Sequence, residues 1–414
     1  MKVDLAYGRT GLSIEVPEER TTVIEPTYLP GLPDAIGALR NAIRNPIGAP
    51  PLRRIVRSSQ KVAIAVCDVT RPMPSSTVLP VLLAELKHVP KDQIVVLVAT
   101  GTHRPNTTKE LESMLGEEVS RNYRVVNHDS FDTAGLTYMG ESGKGIPIWL
   151  NSHWVESDIR ITTGFVEPHF FAGFSGGPKM VAPGLAGFDT VMKLHSAALI
   201  ADPNATWGVI EGNPIHDAIR DIARETCVDF SVDVTINRDH RITSVYAGEL
   251  FETHRAACQA SRATAMQLVP QPFDVVVTTN SGYPLDLNLY QAVKGMAAAA
   301  KVVKSGGTII CAAECSDGIP DHGKYKEILG ARRSPRELLQ MVTSEGYAEH
   351  DQWQVQLQAQ IQLKARVLLK SSCLTPEQVR AAHLEPSDNI QEDIESAVSA
   401  RGDSARVCVL PQGP

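Results

Sequence analysis

The clearest signal along the chain is a series of short, unbroken apolar runs, each followed by a polar loop and a segment of helical period. Residues 61–66 (KVAIAV) show no alternation of apolar and polar positions. That pattern predicts a strand buried on both faces, as in a parallel sheet covered by helices. The run ends at Asp68, a proline-rich loop (TRPMPSS) follows, and TVLPVLLAELKHV has the period of a helix, with Ser75 or Ser76 placed to cap it. The same order then repeats. IVVLVAT (94–100) predicts a strand, GTHRPN a loop, and Thr107 with Glu110 has the spacing of a capping box opening a helix to about residue 120.

A third buried strand, DIRITT (158–163), leads into the glycine-rich GFVEPHFFAGFSGGPKMVAPGLAG. Next come a helix around IHDAIRDIARE, two β segments (VDFSVDVTI and ITSVYAGEL) and a helix from Glu252 to about Leu268. VPQPF reads as a linker. Beyond it βα alternation restarts with DVVVTTN, a helix near 287–303, TIICAAEC, a helix near 334–344 and a last strand in ARVCVLP. The N-terminal MKVDLAYGRTGLSIEV alternates like an edge strand and reads as a hairpin and loop. The pattern predicts an α/β protein of two α/β domains with mainly parallel sheets, residues 1–268 and 272–414.

Composition narrows the class. With 43% apolar and 21% charged residues, the 414-residue chain can build ordinary buried cores. Its net charge of −7 is scattered, and no basic stripe suits nucleic acid or anionic lipid. No apolar run reaches the roughly 18 residues needed to span a bilayer, and the first residues lack the apolar core of a signal peptide. The seven cysteines are spread without a CxxC pair, so neither a disulfide framework nor a cysteine zinc site is indicated. These features predict a reduced, cytoplasmic enzyme with no nucleic-acid or membrane partner.

In open α/β sheets, ligands gather beyond the carboxyl ends of the strands. The first strand delivers Asp68, Thr70 and Arg71 there; the second delivers Thr102, His103 and Arg104. The third delivers Glu167, His169 and, through the glycine loop, Lys179, with His195 on the next helix. The second domain offers Tyr290, Gln291 and Lys294. Singly, each has a plain structural alternative: a histidine in such a loop is more often hydrogen-bonded scaffold, Asp68 suits a helix cap, and Arg71 suits a surface ion pair. Together they fit a site that binds an anion and moves protons. In GFSGGPK, Gly173, Gly176 and Gly177 would let backbone N–H groups approach a phosphate, with Lys179 as counter-charge. The spacing is neither that of a P-loop nor that of a dinucleotide-binding loop. Residue types alone therefore imply an anion-binding α/β enzyme with histidine acid–base chemistry, and no particular reaction.

Five stretches, in order, resemble the nickel-pincer lactate racemases and their homologues: DVTRPMP (68–74), TGTHRP (100–105), EPHFFAGFSGGPKMVAPG (167–184), the following His195, and YQAVKG (290–295). The resemblance implies an isomerase that inverts C2 of a 2-hydroxy acid by reversible hydride transfer to a nickel-pincer nucleotide. It implies covalent attachment of that nucleotide at Lys179, nickel ligation by His195, and His103 and His169 as two bases. Asp68, Thr70, Gly176 and Gly177 correspond to residues around the cofactor, and Arg71, Tyr290, Gln291 and Lys294 to residues around the substrate; Trp353 matches a tryptophan near it. On this reading residues 1–268 carry the cofactor site, residues 272–414 close over the substrate, and the active site lies in the cleft between them. The cofactor would come from separate maturation proteins. A sugar-acid C2 epimerase would use the same chemistry. A divalent-metal hydrolase using His103, His169 and His195 is a rival from another class, although no HxxxH or HxH spacing is present. His216 reads as structural, and His254 carries no evident link to these motifs.

Overall fold

In the computed structural model, which describes residues 1–402 and 404–414, the chain divides into two compact units. The N-terminal unit comprises Thr27–His195 and Ala201–Met266; the C-terminal unit comprises Met1–Pro26, Ser196–Ile200 and Gln267–Pro414. The expected first domain, 1–268, is thus corrected at its start. The hairpin of Lys2–Leu5 and Leu12–Glu15 packs Val3, Leu5, Ile14 and Val16 into the core beneath Val275, Val277, Ile310 and Val409. The Thr21–Val23 strand then adds in parallel to Val407–Leu410 at the edge of the same sheet. Burying these apolar side chains is worth roughly 25 cal/mol per Å², which draws the alternating N-terminal segment onto that core.

The N-terminal unit is built on a six-stranded sheet. Its spatial order is Ile242–Gly248, Phe230–Ile236, Ile159–Phe165, Val62–Cys67, Ile94–Ala99 and Arg124–Asn127. All neighbours are parallel except the first pair. All six residues of Val62–Cys67 are buried, as an unbroken apolar run requires. From that central strand the chain builds outward to Ile94–Ala99 and Arg124–Asn127, then returns to the other side with Ile159–Phe165. The direction of winding therefore reverses between Val62–Cys67 and Ile159–Phe165, where a crevice opens at the carboxyl ends.

The C-terminal unit holds a second six-stranded sheet, entirely parallel, with Phe273–Thr279 between Val303–Ala312 and Val407–Leu410. Helices open where the residues predict, with the Thr107–Glu110 capping box formed in full. Three local expectations change. Neither Ser75 nor Ser76 caps: the helix Ser75–Glu85 starts directly after Pro74, without a side-chain cap. Gly116, at φ 82°, splits the next helix into Thr108–Leu115 and Glu117–Asn122. A second hairpin, Leu136–Glu141 with Pro147–Asn151, occupies a stretch whose period predicted no strand. Among the described residues, no helix is long and apolar enough to cross a membrane.

Candidate active site

The crevice of the N-terminal unit collects the groups that its strand ends deliver. Asp68, one residue past Val62–Cys67, is 5% exposed and has both oxygens occupied. Its Oδ1 accepts from the Thr70 hydroxyl at 2.7 Å and the Thr70 backbone N–H at 3.2 Å; its Oδ2 faces His103 Nδ1 at 2.6 Å. Asp68 thus orients a histidine and does not cap the following helix. Burial pushes its carboxyl up, but the charge and hydrogen bond of His103, then Arg71 and Thr70, outweigh that and hold it at about 2. Arg71 donates to the Thr70 carbonyl and hydroxyl oxygens and lies 3.8 Å from Glu167, which follows the neighbouring strand Ile159–Phe165. The motif's aspartate, threonine and arginine are therefore one hydrogen-bonded assembly across the switch point.

The two histidines read as bases differ in tautomer. His103 Nδ1 must donate to the Asp68 carboxylate, so the neutral ring carries its lone pair on Nε2. His169 lies in a two-residue strand, Pro168–His169, paired with Gly173–Phe174. Its Nδ1 accepts backbone N–H groups from Ala172 at 3.2 Å and Phe171 at 3.4 Å, so the neutral ring carries its proton on Nε2. The Asp68 carboxylate thus leaves the His103 ring to accept at Nε2, whereas backbone N–H groups leave the His169 ring to donate there. His195 ends the helix Phe188–Leu194, and its Nδ1 donates to the Val191 carbonyl at 2.8 Å, which leaves Nε2 as its lone-pair nitrogen. The rings of His169 and His195 both meet Phe171 edge-on, at 4.5 and 5.1 Å.

Lys179 lies in a short 3-10 turn, Gly177–Met180, that follows the glycines. Burial and the nearby Arg71 guanidinium lower its ammonium to about 8, against the opposing pull of Asp68. The glycines of the predicted phosphate cradle also meet structural demands of the loop. The Gly177 N–H donates to the Asp233 carboxylate at 3.1 Å, so it is already committed within the chain. A Cβ at Gly177 would lie 2.4 Å from the His254 ring, and one at Gly176 2.6 Å from Val166. Gly176 and Gly177 also have φ of 72° and 48°, where side chains are rarely tolerated. Close packing and left-handed backbone both call for glycine at these two positions.

Asp233 and His254 escaped the sequence reading. An acid inside the otherwise apolar run FSVDVTI was the available signal for Asp233. His254 had no local signal, because its partner, the Ser175 carbonyl at 2.9 Å, lies 79 residues away. His216, read as structural, is buried and stacked on His254 at 5.8 Å.

The remaining predicted residues lie in the C-terminal unit. Tyr290, Gln291 and Lys294 share the helix Leu289–Val302, where Lys294 Nζ donates to Gln291 Oε1. Trp353, on Gln352–Lys364, donates from Nε1 to the Tyr290 hydroxyl at 2.7 Å. The four are brought together within that unit.

Among the described residues, no group of three or more His, Cys, Asp or Glu is placed to hold a metal ion. His103, one of the three histidines of the hydrolase reading, is engaged with the Asp68 carboxylate.

Comparison with known proteins identifies the family. Residues 7–208 match the family model "Lactate racemase N-terminal domain", and residues 268–414 match "Lactate racemase C-terminal domain". The chain is 33% identical to a lactate racemase of Thermoanaerobacterium thermosaccharolyticum, covering 99% of this chain and 97% of that protein. It is 34% identical to a lactate racemase of Lactiplantibacillus plantarum, covering 99% and 98%. The structure of the T. thermosaccharolyticum lactate racemase apoprotein superposes with a TM-score of 0.92 at 32% identity, over 100% of this chain and 98% of that one. A Thermotoga maritima protein at 20% identity shares the fold, with a TM-score of 0.72 over 93% of this chain and 98% of its own. The chain belongs to the lactate racemase family and is an isomerase, a racemase.

Proposed function

We propose that this racemase inverts C2 of a 2-hydroxy acid, with a nickel-pincer nucleotide attached through Lys179 and ligated by His195. The observation that carries the reading is His103 held by the buried Asp68 carboxylate, with Arg71 and a lysine of lowered pKa in the same assembly. The residues fit the cofactor. At about 8, roughly one Lys179 side chain in ten is a nucleophilic amine at pH 7. His195 presents Nε2, a suitable donor to square-planar nickel. Without a protein cluster of further ligands among the described residues, the other donors would come from the nucleotide itself.

When bound, the nucleotide supplies a hydride acceptor, so that C2 is inverted without a carbanion beside the substrate carboxylate. The chain's own residues then handle the anion and the protons. Arg71, in contact with Thr70 and Glu167, would bind the carboxylate. His103 Nε2 takes the hydroxyl proton, and the Asp68 carboxylate stabilises the imidazolium that results. His169 donates a hydrogen bond from Nε2 while its Nδ1 keeps the backbone contacts. To act as base for the opposite enantiomer it must give up those two bonds, which are long at 3.2 and 3.4 Å. Tyr290, Gln291, Lys294 and Trp353 are assigned to the substrate side. A protein of this kind requires maturation partners that build the nucleotide, and a cytoplasmic setting suits them.

Intact mass and metal content of chain co-produced with such maturation proteins test the reading. The expected result is an adduct on Lys179 with about one nickel per chain; an unmodified, fully active chain would overturn it. A C2-deuterated substrate should keep its label through racemisation, and loss of label to water would exclude hydride return.

A further inference from the structure

We propose that Asp233, on a strand outside the site, is the positioning residue that holds the lysine-bearing loop in shape and so sets the reactivity of Lys179. The proposal rests on the assignment of Lys179 as the attachment point. Asp233 lies in the middle of Phe230–Ile236, next to the strand that ends at Phe165, and is fully buried. The short turn Gly177–Met180 receives no side-chain cap from its own N-cap residue, Gly176. Asp233 takes that place from across the sheet: its Oδ1 accepts the Gly177 N–H at 3.1 Å.

The backbone makes room for this carboxyl twice. A Cβ on Gly164 would lie 2.3 Å from Asp233 Oδ1 and one on Gly176 3.1 Å from it, so two glycines surround one oxygen atom. The other oxygen, Oδ2, is buried with no hydrogen-bond partner among the described residues. Desolvation accordingly raises the carboxyl to about 7, against only the Gly177 hydrogen bond. A group this costly to bury is poor scaffold, since an apolar side chain would fill the strand position at no such penalty. What it does there is hold one amide, two residues before Lys179. His254 closes the loop from the other side: Nε2 meets the Ser175 carbonyl at 2.9 Å while the ring lies under Gly177. The turn so anchored at Ser175 and Gly177 carries Lys179 into the neighbourhood of Asp68 and Arg71.

Trace acetylation of the cofactor-free chain with isotopically labelled acetic anhydride, over a pH series, tests this. Each amine attacks the anhydride carbonyl, acetate leaves, and the amine proton passes to water; mass spectrometry reads every lysine against the exposed Lys109 in the same sample. In the native chain Lys179 should titrate at least one unit below Lys109. Asp233→Ala should shift the Lys179 profile and change its rate relative to Lys109 at least fivefold, while Asp233→Asn, which keeps an acceptor oxygen for Gly177, should restore the native ratio to within about twofold. An unchanged Lys179 profile in a folded D233A chain overturns the proposal, as does a D233N chain that behaves like D233A. Should D233A not fold, Asp233→Ser takes its place, and if neither folds the residue is structural and the proposal fails. A native Lys179 no different from Lys109 would instead count against Lys179 as the attachment point.

Discussion

The two six-stranded sheets share a topology rule and differ in what stands at their switch points. In the N-terminal unit the winding reverses between Val62–Cys67 and Ile159–Phe165, and the strand ends there carry Asp68, Arg71 and Glu167. In the C-terminal unit it reverses between Phe273–Thr279 and Val407–Leu410, and the chain itself fills that crevice. The Ala6 N–H donates to the Pro411 carbonyl, the Tyr283 N–H donates to the Gly8 carbonyl, and Ser281 Oγ donates to the Gln412 carbonyl. Asp286 accepts the backbone N–H groups of Gly8 at 2.7 Å and Glu314 at 3.0 Å. The same architecture thus spends one buried carboxylate on a histidine and the other on the backbone. A switch point offers a crevice; whether it becomes a reaction site depends on whether the chain closes it.

Four substitutions probe that contrast. The largest effect is expected from His103→Ala, which should lower turnover of the loaded enzyme by on the order of 10²–10⁴. Because a racemisation has an equilibrium constant of one, kcat/KM should fall equally in both directions, as chiral chromatography of either enantiomer would read. Leu5→Ala acts only on the other unit. Removing a side chain that is 2% exposed in that core should cost about 2–5 kcal/mol in a urea titration, without a matching loss of kcat.

Asp68→Asn should keep the fold and lower kcat by roughly 10²-fold, since an amide can donate to Nδ1 and favour the wrong tautomer of His103. It also has a pH signature. The Asp68 carboxyl is depressed from 3.8 to about 2, so its stabilisation is present above pH 4 and is lost as pH falls toward 2. The stability gap between native chain and variant, about 2 kcal/mol at pH 7, should therefore close on acidification. A gap that widened would contradict the assigned partners. The smallest effect is expected from Asp286→Ala. Leaving two backbone amides without their acceptor should cost about 1–3 kcal/mol while the turnover of the folded fraction stays native.

Much of the fold was legible because buried parallel strands favour unbroken apolar runs, and Val62–Cys67 and Ile94–Ala99 are such runs. The site was legible for a related reason. A strand's end determines which side chains reach the crevice, and Asp68, His103, Glu167 and His169 stand within four residues of one. The weak, short elements were not legible: the strand Thr21–Val23 has no pattern of its own and forms only because a sheet edge awaits it.

By itself, then, the sequence determined the βα alternation, the Thr107–Glu110 capping box, the strand ends that carry the candidate site and, through its motifs, the family. Tertiary structure alone decided which proton each histidine holds, why Gly176 and Gly177 are glycines, and that Asp233 and His254 grip the lysine loop. Those decisions rest on partners 56 and 79 residues apart, for Gly177–Asp233 and Ser175–His254. No local period encodes such pairs, because they are set by which surfaces the folded sheet brings into contact.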